Sequence, residues 1–426
     1  MEKIISPKVV SDPIRGIIDI RPVLPMVQTA EFQALAFKYQ LGASYMTFPM
    51  ATHTRQAHSY GAYALTAELT KKWIDLNLIS KEEARAVNGF ALFHDIGHPA
   101  FSHVTEPLCP YDNNEQGLRL IDKLKKEIEA CGIDFRLFKD IFANKNPLHL
   151  AVHDKNIGTE KLDYLERDGL MTNVGKLSGV SYLVNHIYFI NNELVIDPKV
   201  IDVAKEVQDF YIKMYKSVYL RKKSVIAQRM MQKMAYALIK DGSLKNSDLM
   251  GMRDFELLGK LQASKNPLVE RLFSLFMNNN VFKETIVLRH KEFTEARLVA
   301  GKPINVFGVD AEIIERFIAS PNFQEKNPEK LLEMESTVAE IAGIPPYDVL
   351  IAPIVRADRF KGGDIKIYSP QGPFQLKTAY PAHYKNMEEY GRSYAALRVC
   401  VPEEYRARLA EENTAKKIFD KILSLI

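Results

Sequence analysis

The stretch HDIGHPAFSH, residues 94–103, places three histidines and one aspartate in a single short segment. With His53 and His58, residues 53–103 hold five of the chain's 10 histidines. Imidazole and carboxylate groups suit Mn, Fe, Zn or Mg, and clustered histidines are what a metal site needs. His94 and His98 are four residues apart, so a helical turn would place both on one face, and Pro99 would end that helix. The alternative, hydrogen-bonded histidines in a core or at helix ends, explains one such residue better than five.

Two flanking segments carry further polar groups at helical spacing. Arg55 precedes His58 by three residues, so both can face one pocket, and a guanidinium binds phosphate through paired donors. This pocket is therefore predicted to accept an anionic substrate. In the segment 160–168, one helical face carries Glu160, Lys161, Tyr164 and Asp168. Taken alone, that face is more often a solvated charged surface.

The rest of the chain predicts a mainly helical fold with small β excursions. Helices are expected over 30–40 (ended by Gly42), 59–77, 81–94, 123–131, 160–168 and 200–239. Short strands or hairpins are expected over 13–25, over 187–196 around Asn191-Asn192, and at 364–369, where Ile365 and Ile367 alternate with polar residues. From about residue 300 onward the pattern changes to a mixed α+β portion.

Composition excludes several classes of protein. The 426 residues are 46% hydrophobic and 26% charged, which excludes global disorder, and a net charge of +4 does not by itself argue for nucleic acid. The 3 cysteines exclude a disulfide framework and suit a reducing compartment. The sequence has no signal-peptide pattern and no long apolar run, so a cytoplasmic protein without a membrane segment is expected.

An ordered series of motifs resembles the HD-domain superfamily of metal-dependent phosphohydrolases, and within it the deoxynucleoside triphosphate (dNTP) triphosphohydrolase branch. The series covers most of the chain and is densest from 11 to 170. It runs through SDPIRG (11–16), EFQ (31–33), YQLG (39–42), FP (48–49), HTRQAHS (53–59), HDIGHPAFSH (94–103), EQG (115–117), KLDYLERD (161–168), VYLRKK (218–223) and RFKGGD (359–364).

The resemblance implies a role for each matching position. His58, His94 and Asp95 match three metal ligands, and Glu160 occupies the position of the fourth. His103 matches the catalytic histidine and Glu106 the acidic residue that orients it. His98, Arg55, Lys161 and Tyr164 match groups that hold the triphosphate and nearby sugar. Gln40 and Asp168 match residues that bind the 3′-hydroxyl, and Leu41 matches a wall that excludes a 2′-hydroxyl.

The chain departs from the family pattern in three respects. The fourth metal ligand is Asp in the family and Glu160 here, with Asp163 as the alternative ligand if the register differs. The family's additional catalytic-site histidine is Asn114 here, and an amide cannot carry a proton. Positions that bind a guanine nucleotide effector are Gln28 and Ala36, which lack the charges required, so that form of activation is not expected.

The implied function is hydrolysis of a dNTP to deoxynucleoside and inorganic triphosphate, with a divalent metal ion (Mg, Mn or Fe, with Zn as the alternative). We expect an HD-type catalytic core over 1–299, with its motifs at about 50–170, and a regulatory or assembly portion over 300–426. The resemblance implies a homodimer or homotetramer. Two alternatives stay open: an HD phosphohydrolase acting on another nucleotide or a nucleic-acid end, and a catalytically weak nucleotide- or nucleic-acid-binding regulator, for which the basic helix over 216–229 argues. A nucleotide effector of another kind also stays open.

Overall fold

The computed structural model describes residues 7–293, 303–354 and 362–426. The RFK part of the motif at 359–364 lies outside these residues. The helices are α1 (Leu24–Val27), α2 (Ala30–Ala34), α3 (Arg55–Asp75), α4 (Lys81–Phe93), α5 (Asn113–Lys123), α6 (Lys125–Ala130), α7 (Phe135–Phe142), α8 (Leu150–His153), α9 (Thr159–Met171), α10 (Val180–Val184), α11 (Ile201–Met214), α12 (Lys222–Lys240), α13 (Asp248–Gly251), α14 (Asp254–Ala263), α15 (Pro267–Met277), α16 (Ala311–Ala319), α17 (Pro328–Ala342), α18 (Leu376–Ala379), α19 (Pro381–Tyr394), α20 (Arg406–Ala410) and α21 (Glu412–Leu423).

The strands form three small sheets in the described part of the chain. They are β1 (Val9–Asp12), β2 (Gly16–Asp19), β3 (Ile187–Ile190), β4 (Glu193–Ile196), β5 (Lys283–His290), β6 (Asn305–Val309), β7 (Leu350–Ile354), β8 (Lys366–Ile367), β9 (Phe374–Gln375) and β10 (Ala396–Val401). The sheets have the orders β1-β2, β3-β4-β8-β9 and β6-β5-β10-β7. The prediction of a mainly helical fold with small sheets is therefore confirmed.

Local sequence signals account for where the central helices begin. Thr54 precedes α3, and its hydroxyl accepts the backbone N–H of Ala57 at 3.3 Å. Ser80 and Glu83 cap α4 reciprocally, each side chain accepting the other's backbone N–H, at 3.1 and 2.7 Å. Such caps satisfy N–H groups that have no partner within the helix, so both helices start at defined residues.

Helices α3, α4 and α9 pack together and form the centre of the N-terminal part. Its core contains fully buried aromatic side chains, among them Trp73, Phe90 and Phe93. Gly61 of α3 faces α9 so closely that an added Cβ atom would lie 2.1 Å from Asp163 Oδ1. A glycine is therefore required here for α9 to approach α3.

Several predicted elements differ from the observed ones in their bounds. The helix expected over 30–40 is α2 followed by a 3₁₀ turn that ends at Phe37, well before Gly42. Helix α4 ends at Phe93, so His94 and His98 lie in a turn after the helix and not on one helical face. The hairpin around Asn191 and Asn192 is confirmed, and both residues have positive φ, as a two-residue hairpin turn requires.

The helix expected over 200–239 is interrupted near its middle. Helix α11 continues into a π-helical turn, Tyr215–Tyr219, and α12 begins at Lys222. A π-helical turn changes the direction in which successive side chains point and is often found at functional sites. Here it directs Tyr215 and Tyr219 into the cavity described below.

The C-terminal portion is built on the sheet β6-β5-β10-β7, covered on one face by α16, α17, α20 and α21. Strand β10 pairs antiparallel with β5 and β7, and β5 pairs parallel with β6. Since β5 precedes residue 300, this sheet includes a segment from before the predicted domain boundary. The boundary itself stays a prediction.

A buried ion cluster connects α12 to this C-terminal portion. Glu335 of α17 lies 2.7 Å from Lys233 Nζ and 3.5 Å from Arg229 Nη2, and it accepts the backbone N–H of Ile351 at 2.9 Å. Lys233 also donates to the carbonyl of Val349 at 2.7 Å. Arg229, which ends the basic segment 216–229, and Lys233, which lies just beyond it, therefore both bind a buried carboxylate inside the protein.

Removal of Glu335 should strongly destabilise the protein. Glu335→Ala leaves two cations buried without their counter-charge, which costs about 3–5 kcal/mol. Chemical denaturation should show this loss. The matched control is Glu329→Ala, which removes the partner of Lys240 in an exposed pair with a 2.9 Å contact and should leave stability nearly unchanged. Equal effects of the two substitutions would contradict the structural role of the cluster.

Candidate active site

A cavity of about 600 Å³ opens where the start of α3, the turn after α4 and α9 meet the π-helical turn and β7. Pockets that bind small ligands commonly have this volume. The lining includes most of the predicted site residues: Gln40, Leu41, Arg55, His94, Asp95, His98, His103, Asn114, Glu160, Tyr164 and Asp168. Side chains far apart in the sequence thus surround one space.

The three other predicted site residues lie just outside this lining. His58 is buried directly behind His94, and Glu106 contacts His103 beside the cavity. Lys161 Nζ lies 3.6 Å from the centre of the Tyr211 ring and donates to the Lys155 carbonyl at 2.5 Å. The predicted contact of Lys161 with a triphosphate therefore stays a prediction.

His58, His94 and Asp95 form a buried cluster whose ligand atoms lie within 4.8 Å of one another. The Nδ1 atoms of the two rings lie 2.9 Å from Asp163 Oδ2 and 2.8 Å from the Ala91 carbonyl, contacts that place the ring protons on Nδ1. The two Nε2 atoms then present lone pairs to each other across 3.2 Å, with Asp95 Oδ1 3.4 Å from His94 Nε2. Opposed lone pairs beside a carboxylate fit a divalent cation.

Asp163 supports this cluster from behind. It accepts from His58, and it pairs with Arg167 and Arg15 at 3.0 and 3.1 Å. Burial raises the pKa of Asp163, but Arg167, the hydrogen bond from His58 and Arg15 lower it far more, so the group stays ionised. With both oxygens already used, Asp163 orients the His58 ring, as carboxylates do for histidines that bind metal ions.

Glu160 lines the cavity one turn earlier on the same helix. Its Oε2 lies 3.3 Å from His153 Nε2, and the His153 ring packs against those of Phe90 and His94. Burial raises the pKa of Glu160, yet the nearby His153 and His94 outweigh it and the pKa is lowered. The geometry thus favours Glu160 over Asp163 as the group available to a metal ion.

Arg55, Asp95 and His98 form a buried polar chain next to the cluster. Arg55 Nη1 lies 2.7 Å from Asp95 Oδ2, and its Nε donates to the Ser102 hydroxyl. His98 Nε2 lies 3.1 Å from Asp95 Oδ1. Burial, reinforced by Arg55, lowers the pKa of His98 to about 4, so His98 is neutral at pH 7. Its buried Nδ1 has no hydrogen-bond partner in the described residues and is available to a ligand.

His103 lies at the mouth of the cavity, with 61% of its side chain exposed. Its Nδ1 lies 2.8 Å from Glu106 Oε2, and Glu106 Oε1 accepts the Asn113 backbone N–H at 3.0 Å. Burial raises the pKa of Glu106, but the hydrogen bond from His103 prevails and lowers it to about 2. An ionised carboxylate that fixes Nδ1 leaves Nε2 of His103 for proton transfer.

Asp168, which also lines the cavity, is held by two partners. His53 Nε2 lies 2.7 Å from Oδ1, and the Tyr219 hydroxyl donates to Oδ2 at 2.6 Å. Gln40 Oε1 is buried without a partner in the described residues, and Leu41 lines the wall beside it. A polar rim next to an apolar wall is suited to a sugar.

Several lining residues were missed by the sequence analysis. They are Ser44, Ser102, Asn113, Asn144, His149, His153, Lys155, Tyr215, Tyr219, Gln228, Glu325, Pro353 and Ile354, among others. The spacing of four between His149 and His153, and between Tyr215 and Tyr219, is a signal that could have found part of this set. Pro353 and Ile354 lie on β7, and no local sequence pattern identifies them as residues that line the cavity.

Replacement of Glu160 should weaken metal binding while the fold is kept. Glu160→Gln removes the anionic oxygen at unchanged length, and a loss of Mn²⁺ affinity of at least about ten-fold is expected, the lower end for changes around a metal site. Calorimetric titration of metal-free protein measures it. The control is Glu166→Gln on the same helix, where the carboxylate pairs with Arg15 at 2.8 Å. Normal affinity in Glu160→Gln would exclude Glu160 as a ligand.

Comparison with known proteins agrees with this geometry. Residues 180–320 match the family model described as the HD associated region. An uncharacterized protein of Methanocaldococcus jannaschii is 25% identical over 412 residues, covering 94% of this chain and 80% of that protein. The deoxynucleoside triphosphate triphosphohydrolase SAMHD1 of Bos taurus is 41% identical over 102 residues, but these are 23% of this chain and 17% of that protein.

The fold is also found among solved structures. A phosphohydrolase of Bacteroides thetaiotaomicron superimposes with a TM-score of 0.70 and 22% sequence identity, covering 93% of this chain and 100% of that one. In the described part of the chain, none of the helices is both long and apolar enough to cross a bilayer. This chain thus contains a match to the HD associated region, shares its fold with the Bacteroides thetaiotaomicron structure, and buries a cluster of His58, His94 and Asp95 that suits a divalent metal ion.

Proposed function

We propose that this chain is a metal-dependent triphosphohydrolase that cleaves dNTPs to deoxynucleoside and inorganic triphosphate. The observation that carries the proposal is the arrangement of the cavity. One cavity brings together a His/Asp cluster suited to a metal ion, an exposed histidine held by a glutamate, and the polar side chains of Gln40 and Asp168. The segment that is 41% identical to the bovine triphosphohydrolase supports the same assignment.

His58, His94, Asp95 and Glu160 would hold the divalent ion. When bound, such an ion polarises phosphoryl oxygens and lowers the pKa of a coordinated water. Arg55 supplies fixed positive charge beside it, although part of that charge is shared with Asp95. In a buried site, a preorganised cation of this kind stabilises negative charge that develops on the phosphate.

The reaction adds water at the α-phosphorus and breaks its bond to the 5′-oxygen. The leaving 5′-oxygen needs a proton, and His103, held by Glu106, is the group placed at the cavity mouth to donate it. The proton that the attacking water loses passes to a base in the site. His98 is neutral at pH 7 and its Nε2 faces the Asp95 carboxylate, so its free Nδ1 carries a lone pair that can accept the proton of this water. Asn114 lines the same region but can only hydrogen-bond.

The sugar would occupy the part of the cavity lined by Gln40, Leu41 and Asp168. Asp168 accepts from the 3′-hydroxyl, Gln40 provides its unpartnered carbonyl oxygen, and Leu41 leaves no polar partner for a 2′-hydroxyl. Tyr164, Tyr215 and Tyr219 form an aromatic wall beside this rim. An assembly of two or four copies, as the family resemblance implies, stays a prediction.

Turnover of dATP, dGTP, dCTP and dTTP with Mg²⁺ or Mn²⁺ tests the proposal, with the phosphate products resolved from one another. Inorganic triphosphate and deoxynucleoside are expected, and a His94→Ala/Asp95→Ala variant should release none. Release of monophosphate or diphosphate would instead support an HD phosphohydrolase of another type. Absence of both turnover and metal binding would contradict the enzyme and favour a nucleotide-binding regulator.

The role of Asp168 gives a second test. A hydrogen bond to a charged group is worth about 1.5–3 kcal/mol, so the wild-type protein should lose about 10- to 100-fold in kcat/KM on a 2′,3′-dideoxynucleotide. Asp168→Asn should lower kcat/KM for the dNTP and discriminate much less between the two substrates. The control is Asp202→Asn, an exposed carboxylate on α11 that contacts Lys205. Undiminished discrimination by Asp168→Asn would exclude contact with the 3′-hydroxyl.

A further inference from the structure

Asp254 is the first residue of α14, within the segment that matches the HD associated region, and it reaches the catalytic half of the chain. Its side chain is almost completely buried, at 2% exposure. Oδ1 accepts the backbone N–H of Phe101 at 2.6 Å, and Oδ2 accepts the backbone N–H of Tyr39 at 2.7 Å. One carboxylate therefore joins two segments that are 62 residues apart in the sequence.

These two segments form separate walls of the cavity. Tyr39 precedes Gln40 and Leu41, which line the sugar end, while Phe101 precedes Ser102 and His103. We name residues 39–41 the sugar wall and residues 98–103 the histidine loop. The contact between α13 and the histidine loop adds a further support, since the Ala100 N–H donates to the Leu249 carbonyl at 3.1 Å.

The histidine loop needs this support because its backbone is strained. Phe101 and Ser102 have φ values of +56° and +51°, which non-glycine residues rarely adopt. Two consecutive residues in this conformation persist only where surrounding contacts hold them. The carboxylate of Asp254 binds the N–H of the first of them.

Lys38 completes the connection from the sugar-wall side. Its ammonium is buried and donates to the carbonyl of His98, while its own carbonyl accepts the Arg55 N–H at 2.9 Å.

Burial raises the pKa of Asp254 to about 6, with Lys38 and the two backbone N–H groups opposing that rise. At pH 7 the carboxylate is thus mostly ionised, the form that accepts both N–H groups.

We propose that Asp254 is a positioning residue through which the HD associated region fixes the histidine loop against the sugar wall. The effect on catalysis rests on the proposed function, whereas the contact of Asp254 with the two segments is tested separately. Asp254 touches neither substrate nor metal in this scheme. It acts through the backbone of Phe101 and Tyr39, and so sets the distance between the proton donor His103 and the sugar end of the substrate.

The contact is tested by hydrogen exchange in Asp254→Asn. The amide keeps the size of the side chain but turns one acceptor into a donor that faces a backbone N–H. Exchange at 39–41, at 98–103 or at both should accelerate by about 10- to 100-fold, as expected for loss of a hydrogen bond to a charged group. The matched control is Asp348→Asn, a carboxylate of equal 2% exposure that pairs with Arg271 away from the cavity. Asp348→Asn should leave the hydrogen-exchange rates at 39–41 and at 98–103 unchanged.

The catalytic arm measures kcat, KM and the preference for a dNTP over the corresponding ribonucleotide. Asp254→Asn should lower kcat by at least about ten-fold while the metal content stays unchanged. It should also reduce the preference for the dNTP over the ribonucleotide, because the sugar wall shifts. Faster exchange throughout the molecule with kcat and preference intact would mean a structural role only, and unchanged exchange at both segments would overturn the proposal.

A second variant covers failure of Asp254→Asn to fold. Lys38→Met releases the His98 carbonyl while the Asp254–Tyr39 contact remains, so exchange should rise at 98–103 but not at 39–41. No rise at 98–103 would contradict the proposed connection. If the wild-type protein hydrolyses no dNTP, the proposed function fails, while the exchange measurements still decide whether Asp254 holds the two walls.

Discussion

The carboxylate of Asp163 is the group on which the arrangement of the site depends. It lies where the N-terminal hairpin, α3 and α9 meet, and it binds Arg15, Arg167 and the Nδ1 of His58 at once. Gly61 makes this possible, since any larger residue on α3 would push α9 away. The position of His58, and with it the spacing of the metal-type cluster, follows from this one buried charge.

Much of the N-terminal part that holds the candidate site could be predicted from the sequence because its signals are local. The histidines of HDIGHPAFSH, the Arg55–His58 spacing and the polar face of α9 each lie within a few residues, and the structure brings most of these side chains to one cavity, with His58 and Lys161 just outside its lining. The roles within that face were harder to assign. Periodicity places Glu160 near Asp163, but only packing shows that Asp163 faces Arg15 and Arg167 while Glu160 faces the cavity.

The features that the sequence did not reveal depend on long-range contacts. The pairing of Lys233 with Glu335 spans 102 residues, and the sequence alone favours a solvated or interface face for the basic segment before it. The end of α4 at Phe93 is another example. The spacing of His94 and His98 suits a helix, yet the helix ends before both residues. In the observed turn the His98 ring contacts Asp95, and the His98 backbone carbonyl accepts a hydrogen bond from Lys38. Tertiary contacts overrode local preference there.

Part of the cavity lining comes from β7. Its residues Pro353 and Ile354 are synthesised well after HDIGHPAFSH. Protein synthesis proceeds from the N-terminus, and domains tend to fold in that order. A nascent chain can therefore assemble the His/Asp cluster while the cavity is still open to bulk water on one side. The enclosed site exists only once the strand has left the ribosome and packed against α12. Synthesis itself thus delays the point at which the proposed nucleotide site is complete.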